Sequence, residues 1–256
     1  MTVFTPDVER GNFERTVNEL AIQRGVSPDV IKSGYKLMPH VLRVAAYLQP
    51  GQSTYVFNIK KGVDSPIPGE IKLDQTDAFA ATALGLRFSK ADLASGVYSN
   101  HGNFPHLTFP DPAYFVGAPA SGTTKKEYEA LLSLINGTLA VNVGGDTVID
   151  GMVGSLFVFN PTSTYATSPA IAFPQLGGSM EEQGFYPLTP QFVFDGANDN
   201  QLTLSVATAD RTLIDGSLTA AGAAATTRNL VWLYIAGYKI KNHTSAPQSL
   251  TACRPV

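Results

Sequence analysis

Residues 230–240 read Leu-Val-Trp-Leu-Tyr-Ile-Ala-Gly-Tyr-Lys-Ile, apolar or aromatic at almost every position. Successive side chains of an extended chain point to opposite faces, so a strand with one wet face alternates apolar with polar residues. This stretch does not alternate. It has to be covered on both faces, and a strand so rich in Trp, Tyr and Ile points to a β-sandwich whose core it closes. Nothing in or around it resembles a catalytic motif.

With 256 residues, 44% of them hydrophobic, the chain suffices for one large β domain or two small ones. Charged residues reach only 15%, below the usual quarter. The surface is therefore either rich in Ser, Thr, Asn, Gln and Gly or covered by other subunits. A net charge of −3 offers no basic face of the kind that nucleic-acid binders and polybasic membrane anchors present. The single cysteine, Cys253, leaves no intrachain disulfide and fits a reducing compartment. The opening residues lack a basic region followed by an apolar run and are not read as a signal peptide. No apolar run approaches the ~20 residues of a membrane span. Asn136-Gly-Thr and Asn242-His-Thr match the glycosylation pattern, and without a secretion signal both are read as coincidence.

Four stretches follow from the patterning: a helical arm over residues 1–40, a β unit over 41–160, a second β unit or the completion of the sandwich over 161–241, and a polar tail over 242–256. In the arm, Phe13, Val17, Leu20 and Ala21 recur at helical spacing and Gly25 is placed to end the helix. Ser27-Pro28 opens a short second helix that Gly34 terminates, and Pro39 marks the passage into β structure. Tyr55, Phe57 and Ile59 alternate with polar neighbours, as do Leu139, Val141 and Val143, and Leu202, Leu204 and Val206. Gly144-Gly145-Asp146 makes a hairpin turn into residues 147–149. Residues 78–88 form a long run of small and apolar side chains, and 156–159 and 192–194 read as short apolar strands. One helix is expected in the β region, over 125–135. Residues 89–124, 161–190 and 219–227 read as long loops, which in compact domains tend to make contacts or carry function.

Candidate sites are few. Residues 18–31 have the order of a helix-turn-helix DNA reader, but the second helix is short, opens with Pro-Asp and carries only Lys32 and Lys36. An amphipathic arm docked on a neighbour or on its own sandwich is the preferred reading. His101 and His106, with Asp111 nearby, are the only histidine cluster, and they lack the third ligand a metal needs; His40 and His243 lie elsewhere. Residues 195–200, Asp-Gly-Ala-Asn-Asp-Asn, are dense in oxygen ligands without the spacing of a calcium loop, and read as a turn. The carboxylate pairs Glu181-Glu182 and Asp146/Asp150 and the tail residue Cys253 suggest no chemistry. No catalytic residue, cofactor or metal is expected.

The order of helical arm, strand-rich body with long polar loops, the block from Gly184 to Pro190 leading into residues 195–206, and the closing strand over 229–241 resembles the jelly-roll major capsid proteins of small tailless icosahedral phages, in the adenovirus-hexon-like lineage. The resemblance implies an antiparallel jelly-roll sandwich, single or double, made in a host cytoplasm. It implies assembly as trimers with other capsid proteins into a virion shell. Phe13, Val17 and Leu20 are then an assembly arm, expected against a neighbouring subunit or the shell interior, with an internal membrane as a further surface. No sequence-specific nucleic acid is expected as a partner. The alternative is a glycan-binding module or receptor-binding spike or penton protein, with Tyr98, Phe104, Phe109, Tyr114, Phe115 and Tyr165 as sugar-stacking candidates.

Overall fold

The computed structural model describes residues 6–62, 67–92, 106–110, 115, 129, 131–157, 184–206 and 227–241. Two helices come first, α1 (Pro6–Arg24) and α2 (Pro28–Gly34). Gly25 follows α1 with φ +62°, the left-handed conformation that glycine adopts without strain, and lets Val26 N–H bond back to the Ala21 carbonyl at 3.0 Å. Among the described residues eight strands follow: β1 (Lys36–Tyr47), β2 (Thr54–Asn58), β3 (Ala78–Asp92), β4 (Thr138–Val143), β5 (Asp146–Val153), β6 (Tyr186–Asp195), β7 (Asn200–Ser205) and β8 (Thr227–Lys241).

The strands form two four-stranded antiparallel sheets, the first in the order β1-β8-β3-β6 and the second β2-β7-β4-β5. Four pairings set this order: β1 with β8, β2 with β7, β3 with β6 and β4 with β5. Pairs β3–β8 and β4–β7 then knit these ribbons into sheets. Strands from beyond residue 161 thus lie between or beside strands from before it in both sheets, and all eight belong to one sandwich. Leu42, Phe79, Leu86 and Val231 of the first sheet meet Tyr55, Phe57, Leu139 and Leu202 of the second in a single core. The protein is mainly β.

Strand β8 is covered on both faces, as its lack of alternation requires. Val231, Leu233 and Ile235 point into the core, while Trp232, Ala236 and Ile240 are buried on the opposite side. Strand β3 beside it carries a bulge against β8 between Ala81 and Ala83, and its register with β6 breaks at the same place. Thr82 sits in that bulge and its Oγ1 donates to the Ala236 carbonyl at 3.1 Å.

Several local expectations are corrected. Pro39 lies inside β1, which starts at Lys36; an edge strand tolerates a residue that donates no ladder bond. For the same reason β6, an edge of the first sheet, begins at Tyr186 and accommodates Pro187 and Pro190, where the sequence reads as loop to residue 190. The run expected as a strand over 156–159 starts instead in a 3₁₀ turn, Gly154–Phe157, that drives Phe157 into the core; residues 158 and 159 lie outside the described residues. Of the helix expected over 125–135, residues 129, 131 and 132 are helical and a turn begins at Ser133.

The apolar stripe of the arm docks on the protein's own sheet. Val17, Leu20 and Ala21 of α1 and Ile31 of α2 are buried with Ala78, Ala80 and Ile240, on the outer face of the first sheet. Phe13 stands edge-on to Tyr238 at 5.7 Å, and Thr16 Oγ1 donates to Gln191 Oε1 of β6 at 3.0 Å. The expectation that Phe13, Val17 and Leu20 pack on a neighbouring subunit or the shell interior is therefore corrected: β3 offers small side chains, Ala78 and Ala80, where the helix settles, and that consumes the stripe.

Candidate functional site

Among the described residues, a grouping of ionisable and aromatic side chains lies on the same outer face, at the end away from the helices. Tyr234 of β8 pairs with Arg43 of β1, and Trp232 with Arg87 of β3, so the two arginines flank β8 diagonally. The Arg87 guanidinium lies 5.0 Å from the Phe185 ring centre and 5.6 Å from that of Tyr234, and Arg43 approaches Tyr234 from the other side at 5.9 Å. Arg87 Nη1 also donates to the Leu86 and Gly184 carbonyls at 2.9 and 3.2 Å. Burial lowers Arg87 to about 10, which leaves it a cation at neutral pH.

His106 closes the cluster. Its ring lies 4.6 Å from Trp232, and Nδ1 is 2.9 Å from the Tyr234 hydroxyl. Burial, and then the nearby Arg43 and Arg87 charges, lower it to about 4, so the imidazole is neutral near pH 7. Trp232 Nε1 donates to Ser89 Oγ at 2.7 Å, which satisfies its one polar group. Leu107 bridges to Phe88 by two backbone bonds of 2.8 Å. The arrangement fastens His106 over β8 and Leu107 along β3, with the Leu107 side chain in the core. Chemically it is a stack of cations on aromatic faces, with one neutral base, His106, held by a phenol.

On the β1 side the cover is residues 67–73. Arg43 and Ile71 exchange backbone bonds of 2.9 and 2.8 Å, and the Glu70 carboxylate accepts from the backbone N–H groups of Ala45 and Ile67 at 2.9 and 2.8 Å. Lys72 balances that buried carboxylate at 3.3 Å. This segment also shields the β1 edge from pairing with another strand.

The other sequence candidates resolve as follows. Residues 195–200 form a self-bonded turn: Ala197 N–H donates to Asp195 Oδ1 at 2.9 Å, and Asn200 Nδ2 donates to the Asp195 carbonyl at 2.7 Å. Asn200 Oδ1 accepts from Gly144 N–H at 3.2 Å, tying this turn to the β4–β5 hairpin. His40 lies against Phe79, and burial and then the charges of Lys239 and Lys241 lower its pKa. Asp146 and Asp150 stand exposed on β5. Phe115, a sugar-stacking candidate, is buried in the core instead, and Phe109 is half-buried. His101, Asp111, His243, Cys253, Glu181, Glu182, Tyr98, Phe104, Tyr114 and Tyr165 lie outside the described residues. Among the described residues no group of three His, Cys, Asp or Glu side chains is placed to hold a metal, and no helix is long and apolar enough to cross a membrane.

An open cleft of about 830 Å³ separates the edge strands β5 and β6; Ile149, Met152, Tyr186, Leu188 and Phe192 line it. Among the described residues its walls carry no carboxylate, imidazole or thiol. Sequence reasoning passed over Arg43 and Arg87, because nothing in the spacing of two single arginines indicates that β8 will lie between them. Comparison with protein-family models, with curated proteins and with solved structures found no match.

Proposed function

We propose that the protein is a structural subunit of jelly-roll type that assembles with copies of itself into a virion shell. The observation that carries this reading is the pairing of β1 with β8, β2 with β7, β3 with β6 and β4 with β5. One long antiparallel ribbon of four pairs, folded across itself, gives the sheet orders β1-β8-β3-β6 and β2-β7-β4-β5. That is the strand order of a single eight-stranded jelly roll, an architecture common in viral capsid and lectin domains and in cupins. Fold alone does not decide among these. The capsid reading is favoured by a charge content of only 15% and by the resemblance in organisation along the chain, which also implies the trimer as the assembling unit. Burial of Phe115 in the core weighs against a sugar-stacking platform there.

Sedimentation velocity and negative-stain electron microscopy of the purified protein test the proposal. Discrete oligomers or closed shells are expected. A monomer at every concentration, with saturable binding to a sugar array, overturns it in favour of a lectin.

A further inference from the structure

Strands β2, β7 and β4 of the second sheet turn their core-side residues, Tyr55, Phe57, Leu202, Leu204, Leu139 and Val141, into the sandwich. Their alternate residues face outward and stand in register in three rows: Thr54, Ser205 and Thr138; Val56, Thr203 and Ala140; Asn58, Gln201 and Asn142. None of these side chains is charged. On an ordinary soluble surface roughly a quarter to a third of the positions carry charge. The charges here stand at the margins instead. Lys60, paired with Asp199 at 3.5 Å, lies just past the end of β2, and Asp146 and Asp150 lie on the opposite edge strand, β5. A neutral centre with a charged rim is the anatomy of a protein–protein contact.

We propose that this face meets the same face of a second copy of the chain, about a two-fold axis that lies in the contact plane and runs parallel to the strands. The inference rests on the self-assembly reading and names the surface that reading needs. A charge-free face can lie against itself without juxtaposing like charges. The two-fold reverses strand order, so β7 of each copy crosses β4 of the other and Thr203 faces Ala140. It also brings β2 over β5, which sets Lys60 beside the other copy's Asp146 end and makes the rim self-complementary. A small-molecule or sugar ligand fits less well, because such sites are concave and the nine outward residues make an open sheet surface with no aromatic ring among them.

Each outward residue covers roughly 30 Å², from about 4.8 Å between strands and about 6.8 Å between alternate residues. The three rows therefore span roughly 300 Å², against about 800 Å² per partner in a stable pair. The contact is thus weak alone and holds as one of several in an assembly.

The test is sedimentation velocity and electron microscopy of the full chain, at up to about 1 mM, with Thr203→Lys, Val56→Lys and Ala140→Glu. Val56 is 45% exposed, so a lysine there has room, and unchanged thermal unfolding of each variant shows that it folds. Thr203→Lys and Val56→Lys are each expected to weaken association by about tenfold or more. An equimolar mixture of Thr203→Lys and Ala140→Glu is expected to regain it, since the two side chains face each other across the axis. Wild-type association in both lysine variants overturns this face while leaving the self-assembly reading intact, and a mixture that stays dissociated overturns the two-fold arrangement. A wild-type chain that remains monomeric throughout overturns the self-assembly reading itself, and this inference with it.

Discussion

The two sheets share a core but differ in what lies on their outer faces. Helices α1 and α2 cover one end of the first sheet, and Ile67, Gly69 and His106 cover the other, so Ala78, Trp232 and Ile240 are as buried as the residues between the sheets. Strands β2, β7 and β4 of the second sheet turn apolar residues inward and leave uncharged, mostly polar residues exposed or half-exposed on the outside. The first sheet behaves as the middle layer of a three-layer body, and the second as its wall. Substitutions on the two outer faces therefore have to cost very different amounts.

The largest effect is expected at Trp232, whose ring is packed by His106 and whose Nε1 is bonded to Ser89. Trp232→Ala should lower stability by about 3–5 kcal/mol in urea unfolding. A loss below about 1 kcal/mol would mean that the outer face of the first sheet is not a core at all. On α1, Leu20→Ala should cost about 3 kcal/mol, whereas Ile22→Ala, at a position 75% exposed on the same helix, should change stability by no more than about 0.5 kcal/mol. Equal effects at the two positions would show that the helix does not dock by its stripe.

The pH dependence sharpens the contrast further. His106 is lowered from 6.5 to about 4, so the unfolded chain takes up its proton first as the pH falls. The stability that neutral His106 contributes is whole above pH 6.5 and is lost progressively down to about pH 4. Unfolding midpoints of wild type and His106→Phe, measured from pH 7 to 4, should converge as the pH falls; parallel curves would place His106 outside the Arg43 and Arg87 field. The smallest effect is expected on the second sheet. Thr203→Lys should leave the stability of the isolated subunit within about 0.5 kcal/mol, read by thermal unfolding under conditions where the chain is dissociated.

Much of this contrast is legible in the sequence, because burial leaves a period. The alternation in residues 55–59 and 202–206 belongs to strands with one wet face, and its absence in residues 230–240 to a strand with none. The stripe of Phe13, Val17 and Leu20 was legible as a stripe, but not what it meets. A helical period reports that one side is buried and nothing about the surface that buries it; the small side chains of Ala78 and Ala80 were the available sign of a seat on β3. Residues 192–194 of β6 read as a strand, but its first half escaped because Pro187 and Pro190 punctuate it, and only its place at a sheet edge makes them tolerable. The arginine cluster is a product of topology, since β8 brings Arg43 and Arg87 to either side of two aromatic residues. The neutral outer rows of β2, β7 and β4 were also present in the sequence, visible only once the three strands are set side by side.

The position of β8 bears on how the chain comes off the ribosome. Strands β1 and β3 are both translated long before their common neighbour, and Lys36 waits about 200 residues for its partner Lys241. Until β8 emerges, the first sheet is open down its middle, with two apolar strands unpaired along the inner edge. Closing so long a loop is slow, and exposed strand edges at that stage invite mispairing and capture by chaperones. A chain terminated before β8 lacks the centre of a sheet, not merely its margin. Quality control is thereby built into strand order: an incomplete translation product cannot form the sandwich, and so cannot compete with finished chains.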